Sequence, residues 1–226
     1  MDRRITTLKL QKRNPNRVNV YLDGEYAFGL SRIVAAWLRV GQVLNEQKIS
    51  ELQQQDTIEV ALQKAIQFIS YRPRTKFEIQ KKLSELGYTE PAIITVMERL
   101  ESAGLVKDTQ FARLWVENRN SLRPRSRRLL ALELQQKGVA EDAIQDALTD
   151  CDQDEELAYR AAQARSRRLQ GLDWESFRRK LGGFLGRRGF SYTTMTPVIR
   201  QVWSELQSSE GANLFDDEDN DDQWTH

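Results

Sequence analysis

Side chains able to do acid–base, nucleophilic or metal chemistry are scarce in this chain. Its one histidine is His226 and its one cysteine is Cys151. A histidine general base in the body of the sequence is therefore impossible, and the two residues cannot furnish a zinc cluster. Cys151 stands 51 residues from each of two apolar residues, Leu100 and Val202, and reads as a small core residue rather than a nucleophile. Gly182, Gly183 and Gly186 hint at a phosphate cradle, but the Lys-Ser/Thr pair of such a loop is missing and the stretch reads as helix. Close helix packing or a pliable helix is expected there. The acidic runs at 150–156 and 216–222 lack the glycine and spacing of a calcium loop. The reading is of a non-enzymatic protein with no catalytic residue, no metal and no cofactor.

Arginine is the functional side chain present in quantity and in pattern. Arg72-Pro73-Arg74-Thr75 returns 51 residues later as Arg123-Pro124-Arg125-Ser126. Arg119, Arg123, Arg125, Arg127 and Arg128 have no acid between them. Residues 160–200 hold ten bases, among them Arg178, Arg179, Lys180, Arg187 and Arg188, against the two acids Asp173 and Glu175. A guanidinium donates two parallel hydrogen bonds to phosphate or carboxylate. Bases at regular intervals can track a partner that itself repeats, such as a filament or a nucleic-acid backbone. A solvated helix face carries the same residues, and spacing alone leaves both readings open.

Helices must position these groups. From about residue 46 onward apolar residues recur at helical spacing, as in Ile58, Leu62, Ala65, Ile66 and Ile69. A shift of 51 residues brings Leu83, Leu134 and Leu185 into register, then Gly87, Gly138 and Gly189, then Tyr88, Val139 and Phe190. Ile93, Ile144 and Met195 follow, then Met97, Leu148 and Ile199. Each copy predicts three helices. Thr75 or Ser126 opens the second, glycine in a left-handed conformation closes it, and Glu90 or Glu141 begins the third. Units of about 50 residues are marginal alone, so neighbours are expected to pack end to end.

The first 30 residues differ. Ile5, Leu8 and Leu10, then Val18, Val20 and Leu22, then Tyr26 and Phe28 predict a small β-hairpin or meander of three strands with Asp23-Gly24 at a turn. Ser31 is expected to cap a helix running through Ile33, Val34, Trp37 and Leu38. No apolar run of about 18 residues predicts a membrane span. The N-terminus lacks a secretory signal, and one cysteine suits a reducing cytoplasm. Seven of the 33 acids and none of the 34 bases lie in residues 210–226, which leaves a formal excess of eight positive charges on the first 209 residues. Such a basic body with an acidic tail is frequent near nucleic acid.

Several stretches together resemble the RecX family of recombination regulators. They are Tyr71-Arg72-Pro73-Arg74-Thr75 with Glu78, Leu83, Gly87 and Tyr88; Leu100 with Gly104-Leu105-Val106, Asp108, Phe111 and Ala112; Leu134 with Lys137-Gly138-Val139; and Lys180-Leu181, Leu185, Arg187, Arg188 and Gly189-Phe190. The order and spacing of the set carry the resemblance, which spans residues 5 to about 206. Ile79 stands where leucine is usual, and in the third copy the stretch with Glu175-Ser176-Phe177 stands where the Arg-Pro-Arg opening and its capping residue would recur. The resemblance implies a mainly α protein: three tandem three-helix repeats in an elongated, curved array behind the small β piece. It also implies a cytoplasmic monomer that binds the RecA–DNA filament, inhibits recombinase, ATPase and co-protease activity, and so acts in homologous recombination, DNA repair and the SOS response. A RecA-independent nucleic-acid-binding repeat module is the alternative. The expected segments are 1–55 for the β piece with a helix, 56–107, 108–152 and 153–208 for the repeats, and 209–226 for a disordered acidic tail. The expected partner-binding residues are Arg72, Arg74, Arg123, Arg125, Arg127, Arg128, Arg178, Arg179, Lys180, Arg187 and Arg188.

Overall fold

The alternation of Val18, Val20 and Leu22 forms the middle of an antiparallel sheet. The computed structural model describes residues 2–216, with side chains through residue 208. In it β1 (Arg3–Leu10), β2 (Arg17–Leu22) and β3 (Glu25–Ser31) make the expected meander. A two-residue β4 (Val43–Leu44) joins the free edge of β1, giving the order β3-β2-β1-β4. Ile5, Val20, Leu22, Leu30 and Leu44 are buried within this sheet's core. The helix expected after Ser31 is cut to one turn, α1 (Arg32–Ala35), and the Ser31 hydroxyl makes no capping bond. The chain is drawn back to the sheet instead. Gly41 N–H donates to the Ile5 carbonyl and Ile5 N–H to that of Gln42, each at 2.8 Å. Trp37, expected within that helix, lies beyond its end and is 87% exposed.

Asn45 caps α2 (Glu46–Ser70) by accepting a hydrogen bond from Lys48 N–H. The first half of α2 serves the sheet. Leu52 enters the sheet core, and Asp56 accepts from Arg17 at 2.8 Å and from Ser31 N–H at 2.5 Å. The second half, with Ala61, Leu62 and Ala65, belongs to the core of the first repeat. The boundary expected between residues 55 and 56 thus falls inside one continuous helix. That core is completed by α3 (Lys76–Glu85) and α4 (Glu90–Ser102), which contribute Ile79, Leu83, Ile93, Val96, Met97 and Leu100.

Residues to Lys107 form one compact unit, and the chain from Asp108 forms a second. The second holds α5 (Asp108–Leu122), α6 (Arg127–Gln136), α7 (Glu141–Thr149), α8 (Asp154–Ser166), α9 (Trp174–Arg187) and α10 (Tyr192–Asp216). These two sets of three helices share a single core, which runs from Phe111 through Leu130, Ile144, Leu157 and Phe177 to Val202.

The repeated sequence signals act as caps. Thr75 and Ser126 are fully buried and accept from the N–H groups of Glu78 and Leu129. Gly87, Gly138 and Gly189 have φ of 84°, 73° and 86°. After each glycine the next N–H reaches back to the carbonyl of Leu83, Leu134 or Leu185, the six-to-one bond of a Schellman cap. The third copy departs at its opening. α9 starts one turn earlier, with Asp173 accepting from Ser176 N–H at 2.9 Å. Phe177, fully buried, takes the place of the Thr75 and Ser126 hydroxyls. α10 continues to Asp216, past the expected start of the acidic tail; His226 and the rest of that tail lie outside the described residues.

Candidate functional site

The repeated arginines stand in the loop that opens the second helix of a repeat, where the chain turns and cannot supply many counter-charges. In the first repeat one carboxylate serves several partners. Glu78 accepts from Arg72 at 3.1 Å, lies 3.9 Å from Arg74, and accepts from Thr75 N–H at 3.3 Å as half of a capping box. Arg74 also stacks over Phe68 at 3.9 Å. Burial, then the neighbouring Arg72, lowers its pKa, against the opposing pull of Glu78.

The second repeat concentrates more charge around one acid. Glu133 accepts from Trp115 Nε1 at 2.9 Å and pairs with both Arg119 and Arg125. Arg119 lies over the Trp115 ring at 4.4 Å. Arg123 is exposed and pairs with no carboxylate among the described residues. A fourth guanidinium arrives from α9. Arg188 donates to the Pro124 carbonyl at 2.9 Å, stacks over Phe184 at 4.4 Å, and its own carbonyl accepts from Ser126 N–H at 3.0 Å. Burial first, then Arg125 and Arg123, lowers the pKa of Arg188; burial, then Arg119 and Arg123, does the same for Arg125. Arg119, Arg123, Arg125 and Arg188 therefore crowd one place with a single carboxylate. An anion entering there would relieve repulsion as well as gain hydrogen bonds.

The remaining expected residues divide. Arg127 turns inward. Its guanidinium donates to the carbonyls of Leu148 and Cys151, at 2.9 and 3.2 Å, and so caps the C-terminus of α7, while its N–H is held by Asp154. It is a structural residue. Arg128 is exposed elsewhere on α6, beside Leu132 and Gln135. Arg178, Arg179, Lys180 and Arg187 are exposed on α9 and form no ion pair among the described residues. Arg178 and Arg179 face a groove between α9 and α10 rather than the Arg188 cluster. Sequence spacing grouped Arg127 with Arg123 by proximity along the chain and kept Arg188 apart. One signal did point to Arg188: it occupies the repeat position of Lys137, and both cap a second helix and lie over aromatic rings.

Cys151 is buried, Asn120 donates to its sulfur at 3.2 Å, and burial raises the thiol pKa, all as suits a core residue. Among the described residues no group of three or more His, Cys, Asp or Glu side chains could hold a metal, and no helix is long and apolar enough to cross a membrane.

Comparison with known proteins meets this geometry over nearly the whole chain. The regulatory protein RecX N-terminal domain matches residues 3–45, and the first, second and third three-helix domains of RecX match residues 61–100, 108–148 and 152–199. A regulatory protein RecX of Lactobacillus johnsonii is 30% identical over 214 residues, covering 93% of this chain and 78% of that protein. One of Bacillus pumilus is 29% identical over 217 residues, covering 93% and 82%. A crystal structure of regulatory protein RecX superposes with a TM-score of 0.68 at 28% identity, covering 85% of this chain and 96% of the other. The four matched domains follow one another in order along the sequence, and the chain belongs to the RecX family of regulatory proteins.

Proposed function

We propose that this protein acts without catalysis, by binding the RecA–DNA filament in the bacterial cytoplasm and restraining its recombinase, ATPase and co-protease activities. The supporting observation is the crowding of Arg119, Arg123, Arg125 and Arg188 about the single carboxylate of Glu133, at a turn whose counterpart in the first repeat also carries two arginines. Guanidiniums at repeat-spaced turns, several sharing one carboxylate, suit an anionic partner that repeats. Several weak contacts then add by effective concentration, with no single strong site needed. The monomer is the acting species in this reading, and recombination, DNA repair and the SOS response are the processes it would moderate.

The test is RecA ATPase on single-stranded DNA with the protein at stoichiometric amounts. The reading requires inhibition, weakened by Arg123→Glu combined with Arg128→Glu, since both side chains are exposed. Arg127→Glu belongs outside that experiment because it would uncap α7. Full-strength inhibition by the double variant would remove these arginines from the interface; no inhibition by the parent protein would end the reading. A nucleic-acid-binding module that needs no RecA is favoured by the same cluster, which phosphate would satisfy equally. Fluorescence anisotropy with labelled DNA across a salt series, with and without RecA, separates the two.

A further inference from the structure

A second surface, in the third repeat, has a different chemistry. The groove between α9 and α10 encloses about 480 Å³, within the range of about 300–1,000 Å³ common to ligand sites. Two aromatic residues stand at it. Tyr192 is 72% exposed at the start of α10, and Trp174 is 37% exposed. The Trp174 ring meets that of Trp203 at 5.5 Å between centroids and a 60° tilt, which helps to fix its orientation. Arg178, Arg179 and Arg200 border the groove against one acid, Glu175, and none of the three pairs with a carboxylate among the described residues.

The groove also gives a reason for two of the glycines of α9, Gly182 and Gly183, which close helix packing does not. A Cβ built on Gly182 would come 3.6 Å from Ile199 Cδ1, and one on Gly183 would come 3.5 Å from Arg187 Nη1. On Gly186 it would meet nothing within 4 Å. These are ordinary contacts, so the fold would accept alanine, and glycine inside a helix weakens it. What Gly182 and Gly183 do provide is open volume, since both line the groove.

We propose that this groove binds a nucleotide unit, with an aromatic base against Tyr192 and Trp174 and its phosphate on Arg178, Arg179 and Arg200. Exposed aromatic rings beside unpaired guanidiniums are the combination that holds base and phosphate together. An acidic peptide would use the cations and leave the rings without a planar partner. The unit is supplied by a free nucleotide or by a single nucleic-acid strand, and the chemistry at the groove is the same. This site stands apart from the cluster at Glu133 and does not require RecA.

The test uses the full chain without any recombinase, so its failure leaves the filament reading untouched. Anisotropy is measured with a fluorescein-labelled oligothymidylate and, separately, with a fluorescent ADP. Binding of at least one probe is expected. Tyr192→Ala and Gly183→Leu, the second filling the groove, should each weaken it about ten-fold, the scale of losing one stacked base. Both positions tolerate the change without loss of helicity, which circular dichroism checks. Preference for the oligothymidylate identifies a strand as the source, and preference for ADP a free nucleotide. Binding of neither probe overturns the proposal, as does binding unaltered by both variants. Competition by polyglutamate or inorganic phosphate that matches the nucleotide probes and ignores Tyr192→Ala would also overturn it, leaving a plain cationic rim or a peptide site.

Discussion

Glu133 is the one carboxylate among Arg119, Arg125 and the Trp115 indole, and its side chain is only 13% exposed. Glu133→Gln keeps an acceptor for the indole but removes the counter-charge from two partly buried guanidiniums. Stability should fall by about 1–3 kcal/mol, read as a lower Tm or denaturation midpoint. Affinity for single-stranded DNA should rise in the same protein, because the cluster then lacks its internal anion. A loss of both would show Glu133 to be a contact to the partner. The neighbouring arginines separate in the same way. Arg127→Ala strips two carbonyl partners from the end of α7 and should cost about 1–3 kcal/mol. Arg123→Ala, at an exposed side chain, should stay within about 0.5 kcal/mol and act on binding alone. Equal effects of the two substitutions on stability would contradict the division into structural and free arginines.

At the scale of elements, the caps were legible because each is a local rule written in two or three residues. Thr75, Ser126 and the glycines 51 residues apart all adopt the predicted roles, and Glu78 adds the second half of a capping box at Thr75. Tertiary contacts were not legible. Nothing in the sequence near Ser31 says that Gly41 and Gln42 will hydrogen-bond Ile5 and stop the helix after one turn. Nor does local pattern reveal that Arg188 docks on Pro124, or that α2 is shared between the sheet and the first repeat. The capping glycines show the same split between local and tertiary demands. Gly87 and Gly189 have nearly the same φ, but a Cβ at Gly87 would meet nothing within 4 Å. At Gly189 it would lie 2.5 Å from Ser126 Oγ and 2.7 Å from Leu129 Cβ. Gly87→Ala should therefore cost only the left-handed backbone conformation, about 1–2 kcal/mol. Gly189→Ala should cost that plus the repacking of α6 against the end of α9, about 1–3 kcal/mol more. Equal midpoints in urea for the two variants would refute the close contact between the second and third repeats.

Over the whole chain, charge is segregated by position: 34 bases lie in the first 209 residues, and seven of 33 acids lie beyond them. A polyanion approaching the protein feels both, and the balance depends on how far each charge acts. Ending the chain at Phe215 removes six acids, one at Asp216 and five beyond, and raises the formal net charge from +1 to +7. If the tail acts by its field alone, the shortened protein should bind single-stranded DNA more tightly at about 50 mM salt, where affinity is strongly electrostatic. The advantage should shrink steadily with added salt and vanish near about 1 M, where the screening length is about 3 Å. A tail seated in contact with the arginines gives a different curve. Ion pairs held at contact distance are screened far less, so the advantage of the shortened chain would persist at high salt. Anisotropy titrations of the two proteins across one salt series distinguish these cases. Identical affinities at every salt would mean that the acids influence neither approach nor binding, and that the +8 body alone governs how this protein meets its partner.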